Sequence, residues 1–165
     1  MHIRDFVEED WVAVWPIVRN VIEAQEMFTY DPAMSSDEAQ LTWVVQQPGR
    51  TVVAVDGGQV VGTAHMQRNR AGPGSHVATA SFMVAADARG RGIGSALCQF
   101  VLSWARGEGY LGIQFNAVAA SNTVALAMYG RFGFDVVGTV PGAFWHPTLG
   151  RIGLHVMYCE LPNLG

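Results

Sequence analysis

Residues 81–106, SFMVAADARGRGIGSALCQFVLSWAR, run from an apolar β-type segment ending at Val84 into a strongly patterned helix. The turn between them carries Arg89, Gly90, Arg91, Gly92, Ile93 and Gly94. A strand, a glycine-rich turn and a helix start in immediate succession bring unpaired backbone N–H groups together at the positive end of a helix dipole. That is a design for holding a phosphate. Three glycines ahead of a helix cost roughly 0.5–1 kcal/mol each in backbone entropy, which a plain turn rarely carries.

Spacing decides which phosphate. A dinucleotide fingerprint needs GxGxxG, but Gly90, Gly92 and Gly94 are evenly spaced and Ser95 stands near the place of the third glycine. The acidic residue required about 20 positions later is missing, because that region reads GIQFN. The chain also lacks GxxxxGK[ST], so it is not a P-loop.

The rest of the chain supplies the context. A first strand is expected over 2–6. A helix capped by Asp10 follows, with Trp11, Val14, Trp15, Val18, Val21 and Ile22 at helical spacing and a kink or break expected at Pro16. Ser35 and Glu38 form a capping-box pair for a second helix continuing through Leu41, Val44 and Val45 to Pro48. Strands are expected over 51–55 and 59–67, joined by the hairpin signal Asp56-Gly57-Gly58, and over 76–84. The central helix buries Ile93, Leu97, Val101 and Trp104. A strand over 111–119 leads to a short helix capped by Ser121-Asn122 and stopped by Gly133. Strands over 135–140 and 154–161 flank a loop over 141–151. The order β-α-α-β-β-β-α-β-α-β-β predicts one α/β domain over 1–165: a mixed central sheet of about seven strands with helices on both faces.

Composition narrows the partners. The net charge is -4 and no basic run exists, which argues against nucleic acid or a membrane surface as the partner. No apolar run approaches the roughly 18 residues that span a bilayer. Cys98 and Cys159 have no CxxC or Cys/His spacing, and the five histidines are scattered, so no metal site is expected. Lone cysteines and a charged N-terminus without a signal-peptide run suggest the cytoplasm.

Arg89-Gly90-Arg91-Gly92-Ile93-Gly94 resembles the pyrophosphate-binding motif of the GNAT-type acyl-CoA N-acyltransferases, and the element order of the whole chain is similar to theirs. The resemblance implies acetyl-CoA as co-substrate. Backbone groups of Gly90 to Ser95 would hold its pyrophosphate, with Arg89 or Arg91 adding charge. Met83 and Val84 would offer backbone groups to the pantetheine arm. Asn122 matches a side chain that bonds the arm or a site water, and Tyr129 matches the general acid for the departing thiolate. A tyrosine of pKa near 10 facing a thiolate of about 8.5 suits that role. Asn122 is equally of N-cap type, and Tyr129 of aromatic-core type.

Many relatives carry a base on the strand before the motif. Here HVATASFMV has no carboxylate. Glu26, Asp31, His65 and His76 are the nearby alternatives, and the base stays unassigned.

GTVPGAFWHPTLGRIGLHVMYCEL and QFNAVAASN resemble a subgroup that acts on azetidine-2-carboxylate and related proline analogues. This implies a small amino-acid-like amine as acceptor, with Asn116 a contact and Tyr30 on the pocket wall. Trp145 stands where a basic residue is associated with that subgroup. A homodimer is common in the family, and Phe144-Trp145 would suit its interface. Two other readings stay open: a protein or peptide N-acetyltransferase, and a non-catalytic acyl-CoA sensor.

Overall fold

The β-branched and apolar segments of the chain pair into one seven-stranded sheet of order β1-β2-β3-β4-β5-β7-β6. The strands are β1 (His2–Asp5), β2 (Arg50–Asp56), β3 (Gln59–Arg68), β4 (Val77–Val84), β5 (Gly112–Ala119), β6 (Asp135–His146) and β7 (Gly150–Glu160). Every neighbouring pair is antiparallel except β4 and β5. Four α-helices complete the fold: α1 (Trp11–Ala24), α2 (Ser36–Trp43), α3 (Ile93–Gly107) and α4 (Thr123–Arg131). This is the mixed α/β sheet that the element order predicts. The computed structural model describes residues 1–162; of the expected domain over 1–165, residues 163–165 lie outside the described residues.

The two-residue period of the strands sorts the core into two layers. Ala64, Met66, Ala78 and Ala80 face α3, where Ile93, Leu97, Val101 and Trp104 are buried against them. Val53, Val55 and Met83 face the other way, onto Val14, Val18 and Ile22 of α1 and Trp43 of α2. Each large side chain fully buried here contributes roughly 1.5–3 kcal/mol.

Asp10, expected to cap α1, makes no side-chain cap bond there, because its carboxylate accepts from Arg4 and from Val7 N–H, and three further sequence expectations need correction. Helix α1 runs unbroken through Pro16. Pro16 and Val12 are both exposed, so the Val12 carbonyl that loses its N–H partner faces water, and the buried stripe on the opposite side holds the helix together. Helix α2 has the expected reciprocal cap, with Ser35 Oγ accepting from Glu38 N–H at 3.3 Å and Glu38 Oε2 accepting from Ser35 N–H at 2.8 Å. It ends at Trp43, however, because Val45 N–H donates to Thr51 Oγ1 at 3.0 Å and draws the chain toward the sheet. Leu41 is left 84% exposed, and Trp43 is the anchor instead, its indole N–H donating to Thr63 Oγ1 at 3.0 Å.

The expected loop over 141–151 is mostly sheet. Strands β6 and β7 continue past it, pairing Phe144 with Ile152, Trp145 with Arg151 and His146 with Gly150. The register shifts between Val140 and Phe144, so Pro141 sits in a bulge where no ladder N–H is needed. Of the suggested interface pair, Phe144 is buried and Trp145 is exposed.

Candidate active site

Strands β4 and β5 share only two rungs, Val77 with Gly112 and Ala78 with Ile113. Beyond them β4 stays paired to β3 as far as Val84, while β5 turns to β7 and bulges at Asn116 and Ala117. Residues 79–84 therefore present one edge of backbone groups to a gap in the middle of the sheet. Met83 is buried among the α1-side apolar residues, so it can offer the gap only backbone groups; Val84 lies beside it at the open end.

The glycine turn closes one end of this gap. Gly92 is the N-cap of α3 with φ of 81°, a left-handed conformation that spares glycine the Cβ strain. A Cβ at Gly90 or Gly92 would meet no atom within 4 Å, so both glycines face open space. The first helical bond runs from Ala96 N–H to the Gly92 carbonyl at 3.0 Å, leaving the N–H groups of Ile93, Gly94 and Ser95 ahead of the ladder. Gly94 serves packing: a Cβ there would touch Met128 Sδ at 3.5 Å. The Ile93 side chain is buried in the core. Arg91 donates to Asp56 at the β2–β3 hairpin, whereas Arg89 is exposed and makes no side-chain bond among the described residues. These features fit a pyrophosphate held by backbone N–H groups, with Arg89 as the cation left free to meet it.

Tyr129 spans the split from the α4 side. Its ring lies 4.6 Å from Phe115 on β5 and 6.1 Å from Phe82 on β4. Phe82 and Phe115 meet edge to face at 5.8 Å. The tyrosine is half-buried, and its hydroxyl neither makes a protein hydrogen bond nor is sealed from solvent. Desolvation, with a smaller contribution from the nearby Cys98, pushes its pKa upward, so the phenol is held protonated at neutral pH.

Asn122 caps α4, its Oδ1 accepting from Ala125 N–H at 3.2 Å. It also lines a cavity of about 260 Å³ together with Glu26, Met27, Ser121, His146 and Leu149. The loop after α1, the start of α4 and the tip of the β6–β7 hairpin thus meet at one hollow. Tyr30 and Asn116 are not in that lining. Tyr30 packs on Phe28 at 5.5 Å, and burial raises its pKa. Asn116 Nδ2 donates to Asn69 Oδ1 at 2.7 Å, and Asn116 Oδ1 accepts from Gln114 at 2.9 Å. Protein groups therefore meet part of the hydrogen-bonding need of this strand asparagine.

His146 carries no local sequence signal, because its place depends on the hairpin reaching past the Pro141 bulge. Its side chain is 8% exposed and its Nδ1 accepts from the backbone N–H groups of Thr148 and Leu149, each at 3.2 Å. His65 lies under Trp43 with ring centroids 4.6 Å apart, and neither of its nitrogens has a partner among the described residues. Burial lowers its pKa to about 4.

With this geometry, comparison with known proteins defines the class. Residues 15–134 match the acetyltransferase (GNAT) family. A GCN5-related N-acetyltransferase from Kribbella flavida is 51% identical, with 97% of each chain covered and a TM-score of 0.94. The chain belongs to the GNAT acetyltransferase family and is an acyl-CoA N-acyltransferase. Its fold is also similar to a ribosomal-protein-alanine N-acetyltransferase from Brucella melitensis, at 25% identity, 98% and 100% coverage and a TM-score of 0.82. A phosphinothricin acetyltransferase from Sinorhizobium meliloti, solved in complex with acetyl-CoA, shares the fold at 23% identity, 97% and 88% coverage and a TM-score of 0.82.

Proposed function

We propose that this protein transfers the acetyl group of acetyl-CoA to the amine of a small molecule of amino-acid type, by direct attack, with Tyr129 as general acid. The observation that carries the reading is the alignment of three features: the β4–β5 split, the glycine turn at its end and Tyr129 across it. The pyrophosphate would rest on the N–H groups around Gly92 to Ser95, with Arg89 adding charge. The pantetheine amides would pair with the free edge near Met83 and Val84, as an added strand would. The amine nitrogen forms a bond to the thioester carbonyl carbon, the C–S bond breaks, and the sulfur takes the phenolic proton of Tyr129; the nitrogen sheds one proton to water, and the phenolate regains one from water, which leaves the amide, the thiol and the starting tyrosine. The desolvation that raises the tyrosine pKa would also raise that of a thiolate left beside it, which keeps the transfer matched. Asn122, with Oδ1 spent on its helix, has amide N–H groups left for the arm or the acceptor.

The amino-acid-type acceptor is supported by the small cavity beside Asn122 and by the resemblance of the C-terminal stretch to proline-analogue acetyltransferases. The test is thiol release from acetyl-CoA with a panel of amino acids, simple amines and peptides. Release that depends on small amines supports the reading. A marked preference for peptide N-termini would make the protein a peptide N-acetyltransferase, and tight acetyl-CoA binding without release would make it a sensor.

A further inference from the structure

The cavity at the hairpin tip has one wall of donors and one carboxylate. His146 is more than nine-tenths buried, and both turn N–H groups that meet its ring point at Nδ1. An imidazole nitrogen that accepts cannot carry the proton, so in the neutral ring the hydrogen is on Nε2. Nε2 has no protein partner among the described residues and is not sealed, in a side chain that lines the cavity. Asn122 lines the same hollow with Oδ1 committed to Ala125 N–H, which leaves its Nδ2 hydrogens as donors. The N-terminus of the nine-residue helix α4 begins there too, adding its positive end. Glu26, on the loop after α1, also lines the cavity and makes no ion pair among the described residues. Met27 and Leu149 supply the apolar remainder.

We infer that this hollow is the acceptor pocket and that it selects amines bearing a carboxylate: His146 Nε2–H and the α4 end hold the carboxylate, and Glu26 faces the amino group. The free ring and amide hydrogens of this corner are donors, and the Ser121 hydroxyl can turn to donate beside them, so an anion matches the corner better than a hydroxyl or amine does. The one carboxylate of the lining, Glu26, is matched by an ammonium or an amine N–H. His146 is then a specificity-determining residue whose tautomer the hairpin turn fixes. The volume, just below the roughly 300–1,000 Å³ of ordinary ligand sites, is enough for one amino acid. This inference rests on the acetyl-transfer reading above.

The experiment compares free amino acids with their decarboxylated twins, leucine with 3-methylbutylamine and proline with pyrrolidine, as kcat/KM at saturating acetyl-CoA. The wild-type enzyme should favour the amino acids at least tenfold. His146→Asn keeps an acceptor for the turn N–H groups but removes the Nε2 donor; it should shrink that preference to within threefold, through KM. His146→Gln places an N–H near the lost Nε2 and gives up the turn acceptor; it should keep most of the preference while lowering Tm. Equal use of both twins by the wild-type enzyme, or an undiminished preference in His146→Asn, overturns the inference and leaves acetyl transfer standing. Should His146→Asn fail to fold, loss of the preference in a folded His146→Gln overturns it as well. Absence of thiol release with any amine overturns both readings.

Discussion

Ala78 and Ile113 form the last rung between β4 and β5, and the strands part immediately after it. The sheet thereby keeps a free backbone edge at its centre, and the glycine turn lies at the far end of that edge. The proposed donor site and transfer step both rest on this parting.

Coenzyme A should act as a structural element. A ligand at one hundred times its Kd stabilises the folded state by about 2.7 kcal/mol. Hydrogen exchange should show new protection in residues 79–84 and in the first turn of α3, with little change in β1 and β2. Protection confined elsewhere would place the donor at a different site.

Gly92 and Gly94 should respond oppositely to alanine. At Gly92 the φ of 81° makes any Cβ unfavourable, by roughly 1–2 kcal/mol, and the new methyl enters the open phosphate space. The KM for acetyl-CoA should rise at least tenfold. Gly94 lies inside α3, where a Cβ makes ordinary contact with Met128, and alanine there should change Tm by no more than a few degrees. Equal KM effects at the two positions would count against the backbone cradle.

Tyr129→Phe preserves the ring packing on Phe115 and Phe82 and removes only the hydroxyl. We expect kcat to fall by about 10² or more, with the KM for acetyl-CoA and Tm nearly unchanged. An unaltered kcat would assign Tyr129 to packing alone.

His65 should make stability depend on pH. Its folded pKa of about 4 lies below the ordinary 6.5, so the unfolded chain binds the proton first. Stability is then complete above about pH 6.5 and is lost as pH falls toward 4, by roughly 3 kcal/mol in all. Asp10 has its pKa lowered mainly by the hydrogen bond from Arg4, so its loss begins only below the ordinary 3.8 and does not overlap this window. Urea midpoints between pH 7.5 and 4.5 should slope in the wild-type protein and flatten in His65→Leu.

Local chemistry explains what the sequence reveals. The Arg89–Gly94 turn, the Ser35–Glu38 box, the Asp56-Gly57-Gly58 hairpin and the Asn122 cap each rest on residues within a few positions of one another, and each forms as read. Pro16 misleads because its cost is set by which side of α1 faces water. The β6–β7 hairpin is hidden because Pro141 and Gly142 look like loop until β7 pins the strand beyond them. Asn116 finds a partner in Asn69, 47 residues away, which no local pattern announces. His146 depends on that same unseen hairpin, and so the glycine turn is far more readable in the sequence than the hollow at the hairpin tip.

Proteins usually protect an unpaired strand edge with charge, brevity or a covering loop at the rim of the sheet. The edge at residues 79–84 has none of these, yet not one of its six residues is exposed. Recess is what guards it: another chain seeking to add a strand would have to enter between β4 and β5, past the aromatic bridge at Tyr129. The same parting that leaves a backbone edge free thus keeps that edge out of reach of a second copy of the chain.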